Sequence, residues 1–268
     1  MSAELRGRVL VVAGSDSGGG AGLQADVKTI TALRGFATTA VTALTAQNTL
    51  GVHAVFPVDP AFVDLQMQVV LEDIGTDAIK TGMLATRAII ETVARRLRRM
   101  GRPVPIVVDP VMIAGTGARL LDAEGRAALV RLLLPLTTLL TPNVPEAEAI
   151  TGVEIRSAEG MAHAADRLLL MGPEAVLIKG GHLPGDVVTD LLRTADGVER
   201  RFDAPRISTR PLHGTGCTLA SAIAVGLAEG MTLEGAIQEA REFVRAAILD
   251  APPYGQGAGP LNHSPPRP

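Results

Sequence analysis

The sequence contains no tryptophan, a single tyrosine and a single cysteine, and aromatic residues occupy only 2% of its 268 positions. One cysteine rules out an intramolecular disulfide framework. Few aromatics leave little surface for stacking nucleobases, and 25 basic against 28 acidic residues, a net charge of −3, supply no basic field. Nucleic acid is therefore not an expected partner. Long apolar runs are also missing: the longest stretch, 129–140, is broken by Arg131 and Pro135, so no membrane span is expected. Arg6 and Arg8 precede only the short apolar run 9–13, too short for the core of a secretion signal. The expected setting is cytoplasmic.

What is abundant is aliphatic. Hydrophobic residues make up 47% of the chain, so its core must be built from Leu, Val, Ile, Ala and Met, which suits parallel strands covered by helices. Runs at 9–13, 38–46, 77–81, 104–108, 136–140 and 175–178 read as strands. Most of them stop at a polar or glycine-rich turn. Helical spacing follows at 24–33, 60–73, 86–99, 158–171 and 232–249, giving a doubly wound, mostly parallel α/β sheet with helices on both faces. Residues 187–193 and 198–203 flank Asp196-Gly197, a strong hairpin signal. One domain over 1–268 is expected, with a Pro/Gly-rich tail from about 251 that is disordered at its end. Strand order is not readable.

The stretch that organises the chain is 213–224, a glycine-rich turn running into a small-residue helix. Gly214 and Gly216 let the backbone approach a ligand closely, and the first N–H groups of the helix lack intrahelical partners. With the helix dipole, Gly214, Thr215, Gly216 and Cys217 form a site for an anion such as a phosphoryl group in transfer. Cys217 stands in the first helical turn, where a thiol's pKa is expected to fall and make it a base. The competing reading is a small cysteine that fills a gap in the core.

Other candidates sit at strand ends. Residues 14–22 are rich in glycine and follow the first strand, where open α/β sheets bind ligands. No Gly-Lys-Ser/Thr completes a P-loop there. Gly20 to Ala25 matches a loose dinucleotide pattern, but no carboxylate follows about 20 positions on. Gln47 offers the acceptor and two donors that an aminopyrimidine needs, or is an exposed turn residue. Asp109, at a strand's C-terminal end, is placed to hold Mg²⁺ through water. Asn143 and Glu146 serve either metal and phosphate or a helix capping box. Lys179, just before two glycines, is placed to reach phosphate as a point charge. Residues 113–119 form a glycine-containing loop able to close over substrate.

Residues 213–223, with Cys217 where most of the superfamily has aspartate, resemble the anion-hole and base motif of hydroxymethylpyrimidine and phosphomethylpyrimidine kinases, a branch of the ribokinase-like superfamily. The likeness extends over essentially the whole chain, through Thr45-Ala46-Gln47-Asn48-Thr49, Thr141-Pro142-Asn143 with Glu146, Lys179-Gly180-Gly181-His182, and 255–263. It departs at Pro211-Leu212, where the family usually carries a polar pair. The resemblance implies a ribokinase-like fold and a homodimer. It implies ATP as co-substrate with Mg²⁺, and a small pyrimidine as substrate. Gly14, Asp16, Asp26, Gln47, Met83 and Val111 would then contact the pyrimidine, Lys179 and Asn143 the phosphates, and Asp109 and Glu146 the metal. The implied reaction is phosphorylation of 4-amino-5-hydroxymethyl-2-methylpyrimidine and of its monophosphate for thiamine diphosphate synthesis. Alternatives are a pyridoxal or pyridoxine kinase, a dinucleotide oxidoreductase, and a pyrimidine-binding protein without catalysis.

Overall fold

Val9, Val11 and Ala13 belong to one core of the protein and Leu10 and Val12 to another, and all five are fully buried. A strand that alternates in this way must be covered on both faces. The computed structural model, which describes residues 6–114 and 117–264, shows how. Its strands are β1 (Arg6–Asp16), β2 (Gly35–Asn48), β3 (Gly51–Pro57), β4 (Ala78–Thr81), β5 (Ile106–Val108), β6 (Leu139–Leu140), β7 (Ala175–Ile178), β8 (Val187–Thr194) and β9 (Glu199–Pro205). They form a single sheet in the order β3-β2-β1-β4-β5-β6-β7-β8-β9. Pairing is parallel from β2 across to β7, while β3 pairs antiparallel with β2 at one side, and β8 pairs antiparallel with both β7 and β9 at the other.

Helices α1 (Gly22–Ala32), α7 (Thr215–Ala228) and α8 (Leu233–Leu249) cover the Val9 face. The Leu10 face is covered by α2 (Pro60–Asp73), α3 (Arg87–Arg98), α4 (Ala123–Ala128), α5 (Val144–Thr151) and α6 (Ala158–Leu169). Local signals set these elements. In α3, Thr86 caps the first turn by accepting from the Ile89 N–H, Ile89, Ile90, Val93, Ala94 and Leu97 face the core, and Arg95, Arg96 and Arg98 stand at the C-terminal end, where the dipole favours cations. The arrangement is the doubly wound, mostly parallel sheet with helices on both faces expected from sequence.

β1 lies between β2 and β4, so successive connections leave it in opposite directions and open a crevice beyond the strands' C-terminal ends. That crevice is where the candidate residues collect. Two elements of the chain differ from expectation. β3 and α4 were not anticipated, because β3 carries an exposed, mixed sequence on the sheet edge and α4 is a single short segment. The tail from 251 packs against the body as far as residue 264: Leu261 and His263 are buried, and Thr218 Oγ1 lies 3.0 Å from His263 Nε2. Its expected disordered end, 265–268, falls outside the described residues. No helix among those described is long and apolar enough to cross a membrane.

Candidate active site

A cleft of about 520 Å³ opens at the C-terminal edge of the sheet. It brings together Gly14 and Asp16 from the end of β1, Gln47 from β2, Met83 after β4, and Asp109 and Val111 after β5. Asn143 and Glu146 at the start of α5, Lys179 after β7, and Gly214, Thr215, Gly216 and Cys217 at the start of α7 complete it.

Gly214 caps α7 with φ of +85°, a left-handed conformation that favours glycine, and any Cβ here would meet the Gly20 carbonyl. The first intrahelical bond runs from Thr218 N to Gly214 O at 2.9 Å, so the amides of Thr215, Gly216 and Cys217 are left for a ligand. Beside them Lys179 Nζ lies 2.9 Å from Asp109 Oδ1, and Thr141 Oγ1 lies 3.4 Å from the same oxygen. A cation, a buried carboxylate and free amides thus share one end of the cleft.

Glu146 and Asn143 form the reciprocal capping box: Asn143 Oδ1 accepts from Glu146 N and Glu146 Oε2 from Asn143 N, each at 2.8 Å. The capping geometry is present, and Glu146 still lines the cleft. Burial pushes its carboxyl up to about 7, with Asp109 adding to the rise and Lys179 opposing it. Among the described residues no cluster of three His, Cys, Asp or Glu could hold a metal on its own. Asp109 and Glu146 match the way Mg²⁺ is commonly held, by one or two carboxylates with phosphate oxygens and water completing the shell.

At the other end, Gln47 Oε1 lies 3.3 Å from Thr45 Oγ1, and its Nε2 has no protein partner among the described residues. Met83 packs beside Gly14, where a Cβ would come 3.1 Å from Sδ. This end of the cleft thus presents an open amide beside an apolar wall.

Two expectations need correction. Asp26 does not line the cleft: it is fully buried in α1, holding Lys80 Nζ at 2.8 and 2.9 Å and accepting from Ser221 Oγ at 2.7 Å. What sequence reading missed is the pairing of Asp26 with Lys80, which itself lines the cleft. A lysine within an otherwise apolar strand must find a buried partner, and that was the available signal.

Cys217 is not an easily ionised thiol. Burial pushes it up to about 12, Asp26 and Asp109 add to the rise, and the opposing effects of Lys80 and the Gly22 N–H are smaller than the burial. The helix start alone does not prevail. The glycine loop 14–22 faces the cleft, as expected, through Gly14, Ser15, Asp16, Ala21 and Gly22, while Asp16 Oδ1 accepts from Gly18 N and Oδ2 from Gly20 N and Ala21 N at 2.8 to 3.1 Å. Those amides are already used, which removes the basis for a dinucleotide reading. Of the loop at 113–119, residues 115–116 lie outside the described set, and Ile113, Ala114 and Gly117 line the cleft.

A second cavity of about 360 Å³ adjoins the first, sharing Asn143, Lys179, Thr215 and Gly216. Its walls include Val188, Leu219, Val244 and Ile248. Sequence reading gave no sign of it, since it is assembled from β8, α7 and α8, which are distant in the chain.

Two joined cavities meeting at a helix start with a lysine, on a sheet of this order, define a small-molecule kinase of the ribokinase-like class. Residues 16–262 match the phosphomethylpyrimidine kinase family, and the chain belongs to it. It is 47% identical over 258 residues to the hydroxymethylpyrimidine/phosphomethylpyrimidine kinase of Bacillus subtilis, covering 96% of this chain and 94% of that one. A thiamine biosynthesis bifunctional protein of Geobacter sulfurreducens is 50% identical over 259 residues; the match covers 96% of this chain and 52% of that protein, about half its length. Among solved structures, an ADP complex of Bacillus subtilis pyridoxal kinase superposes with a TM-score of 0.88 at 35% identity, covering 98% of each chain.

Proposed function

We propose that this protein transfers the γ-phosphoryl group of ATP to the hydroxymethyl oxygen of 4-amino-5-hydroxymethyl-2-methylpyrimidine, and then to the phosphate of the resulting monophosphate, for thiamine diphosphate synthesis. The observation that carries this reading is the presence of Gln47 and the α7 start in one cleft. Gln47 pairs with the ring nitrogen and exocyclic amine, while Gly14, Met83 and Val111 hold the ring. This places the hydroxymethyl group toward Cys217.

Nucleotide occupies the second cavity, with its base against Val188, Leu219, Val244 and Ile248 and its phosphates toward Lys179 and Asn143. The amides of Thr215, Gly216 and Cys217 then receive the charge that develops on the transferring group, a preorganised electrostatic effect central to phosphoryl transfer. When bound, Mg²⁺ supplies charge neutralisation at the phosphates, and Asp109 and Glu146 are the residues that would hold it. Cys217 takes the hydroxyl proton. Because its thiol is held so high, the thiolate is a small fraction at neutral pH and sets a pH dependence.

The same reading places the enzyme in the cytoplasm as a homodimer. β3 is an edge strand without a charged residue, and its Phe56, 70% exposed, stands opposite exposed Leu44 of β2. Edge strands left to water are normally protected by charge, so a second copy covering this edge accounts for the exposure. Sedimentation equilibrium showing a monomer at all concentrations would remove that part.

Pyridoxal phosphorylation is a second reading, favoured by the structural likeness to a pyridoxal kinase. Assaying ATP-dependent product formation on the pyrimidine, its monophosphate and pyridoxal side by side decides between them. Turnover on pyridoxal alone would overturn the proposal.

A further inference from the structure

Asp190 on β8 and Arg241 on α8 form an ion pair in the wall of the second cavity, and both are more than nine-tenths buried. A buried pair of this kind returns little net stability, because desolvating two charges offsets their attraction. Its geometry gives it another use. Asp190 Oδ2 takes the Arg241 guanidinium, while Oδ1 accepts from the Gly180 N–H at 2.8 Å. Gly180 follows Lys179 directly and has no room for a Cβ against the Thr189 carbonyl. Lys179 is held on its other side by Pro142, whose carbonyl accepts from Lys179 N at 2.9 Å. Arg241 is itself seated over the Phe202 ring, 5.8 Å from its centroid. A continuous line of contacts therefore runs from Phe202 through Arg241 and Asp190 to the turn that carries Lys179.

We propose that Asp190 is a positioning residue for Lys179, and that Arg241 cancels the Asp190 charge so that a polyanion can enter beside it. The inference rests on the reading of the second cavity as the nucleotide site. Arg241→Met leaves a bare carboxylate in the wall of the cavity that the phosphates would enter. Like charges in a poorly solvated site repel strongly. Asp190→Asn in the same chain removes the repulsion, and its amide oxygen still accepts from Gly180.

The test measures ADP affinity by calorimetry, KM for ATP, KM for the pyrimidine and the unfolding midpoint in wild type, Arg241→Lys, Arg241→Met and the Asp190→Asn/Arg241→Met double variant. The expected result is nucleotide affinity weakened about tenfold or more in Arg241→Met, largely recovered in the double variant and nearly kept in Arg241→Lys, with the pyrimidine KM unchanged throughout. A fall in unfolding midpoint with unchanged nucleotide affinity overturns the proposal and leaves the pair a structural clamp. So does a double variant no better than Arg241→Met. Failure of the functional reading is separately visible, because wild type itself would then neither bind ADP nor phosphorylate the pyrimidine.

Discussion

Lys179 Nζ lies 2.9 Å from Asp109 Oδ1, and both groups stand against the Cα of Gly216. A Cβ on residue 216 would come 3.0 Å from Nζ and 3.5 Å from Asp109 Oδ2, so a single methyl group presses on cation and carboxylate together. Gly216 has an ordinary backbone conformation, and alanine there carries no strain of its own. Gly216→Ala is therefore expected to leave the unfolding midpoint close to wild type while displacing Lys179. The shift required is a fraction of an ångström, and since misplacement of about 1 Å in such a site costs on the order of 10²-fold in turnover, a loss of about tenfold is expected. Steady-state kinetics alongside thermal unfolding checks both halves.

Glu146 gives a pH dependence of stability whose sign follows from its burial. Its carboxyl is raised from 4.5 to about 7 in the folded protein, so the native state binds more protons than the unfolded chain between those values. The stabilising contribution is present below pH 4.5 and is lost as pH rises through about 7. Glu146→Gln keeps a side chain able to complete the capping box with Asn143 and removes the titration. Relative to that variant, wild type should lose roughly 2–4 kcal/mol of stability between pH 4.5 and pH 8. Urea unfolding of the two proteins at both pH values measures the difference; a constant gap across the range would contradict it.

The sheet was legible wherever a strand is buried on both faces. Val9 to Ala13 and the run at 175–178 are continuous apolar segments ended by a glycine or a lysine, the composition that burial on both sides favours. β3 was not legible, because an edge strand facing solvent obeys no such constraint. The glycine turn at 214–216 was readable from local chemistry, since helix starts and φ-permissive residues are properties of neighbouring positions. The charge state of Cys217 was not. It depends on Lys80, Asp26 and Asp109, which arrive from three separate elements, and on a burial that no short stretch of sequence expresses. Asp26 went wrong for the same reason: its partner, Lys80, lies 54 positions away.

Gln47 is the test of substrate recognition. Its Oε1 has a weak local contact with Thr45, and its Nε2 is free for a ligand. Gln47→Leu keeps similar volume and removes every hydrogen bond to an aminopyrimidine. A lost buried hydrogen bond costs on the order of 1–3 kcal/mol, so pyrimidine affinity should fall roughly ten- to a hundredfold. Nucleotide affinity should stay unchanged, because the second cavity does not include this residue. Calorimetry with each ligand separately reads the two effects, and an unaltered pyrimidine affinity would count against Gln47 as the recognition group.

Cys217 decides how the proton leaves. A thiol held at about 12 carries very little thiolate at neutral pH, and below that value the fraction grows tenfold with each pH unit. If the thiolate is the base, log kcat/KM of wild type should climb with unit slope through the alkaline range instead of reaching a plateau near pH 8. The rate of alkylation by iodoacetamide should rise in parallel, because it reports the same ionisation. Cys217→Ser should cut turnover by about 10²- to 10⁴-fold with substrate affinity nearly intact, the range typical of a lost general base. Cys217→Asp supplies a group that ionises far lower, even after burial raises it. Part of the activity should return, and the pH profile should flatten toward neutral. A gap-filling cysteine predicts the opposite order. Serine, close in size, would be tolerated, whereas a carboxylate set between Asp26 and Asp109 would destabilise the fold by adding buried like charge. A wild-type profile that is flat from pH 7 to 9, together with a fully active serine variant, would remove Cys217 from the chemistry and leave transfer to the α7 amides, Lys179 and the metal-holding carboxylates.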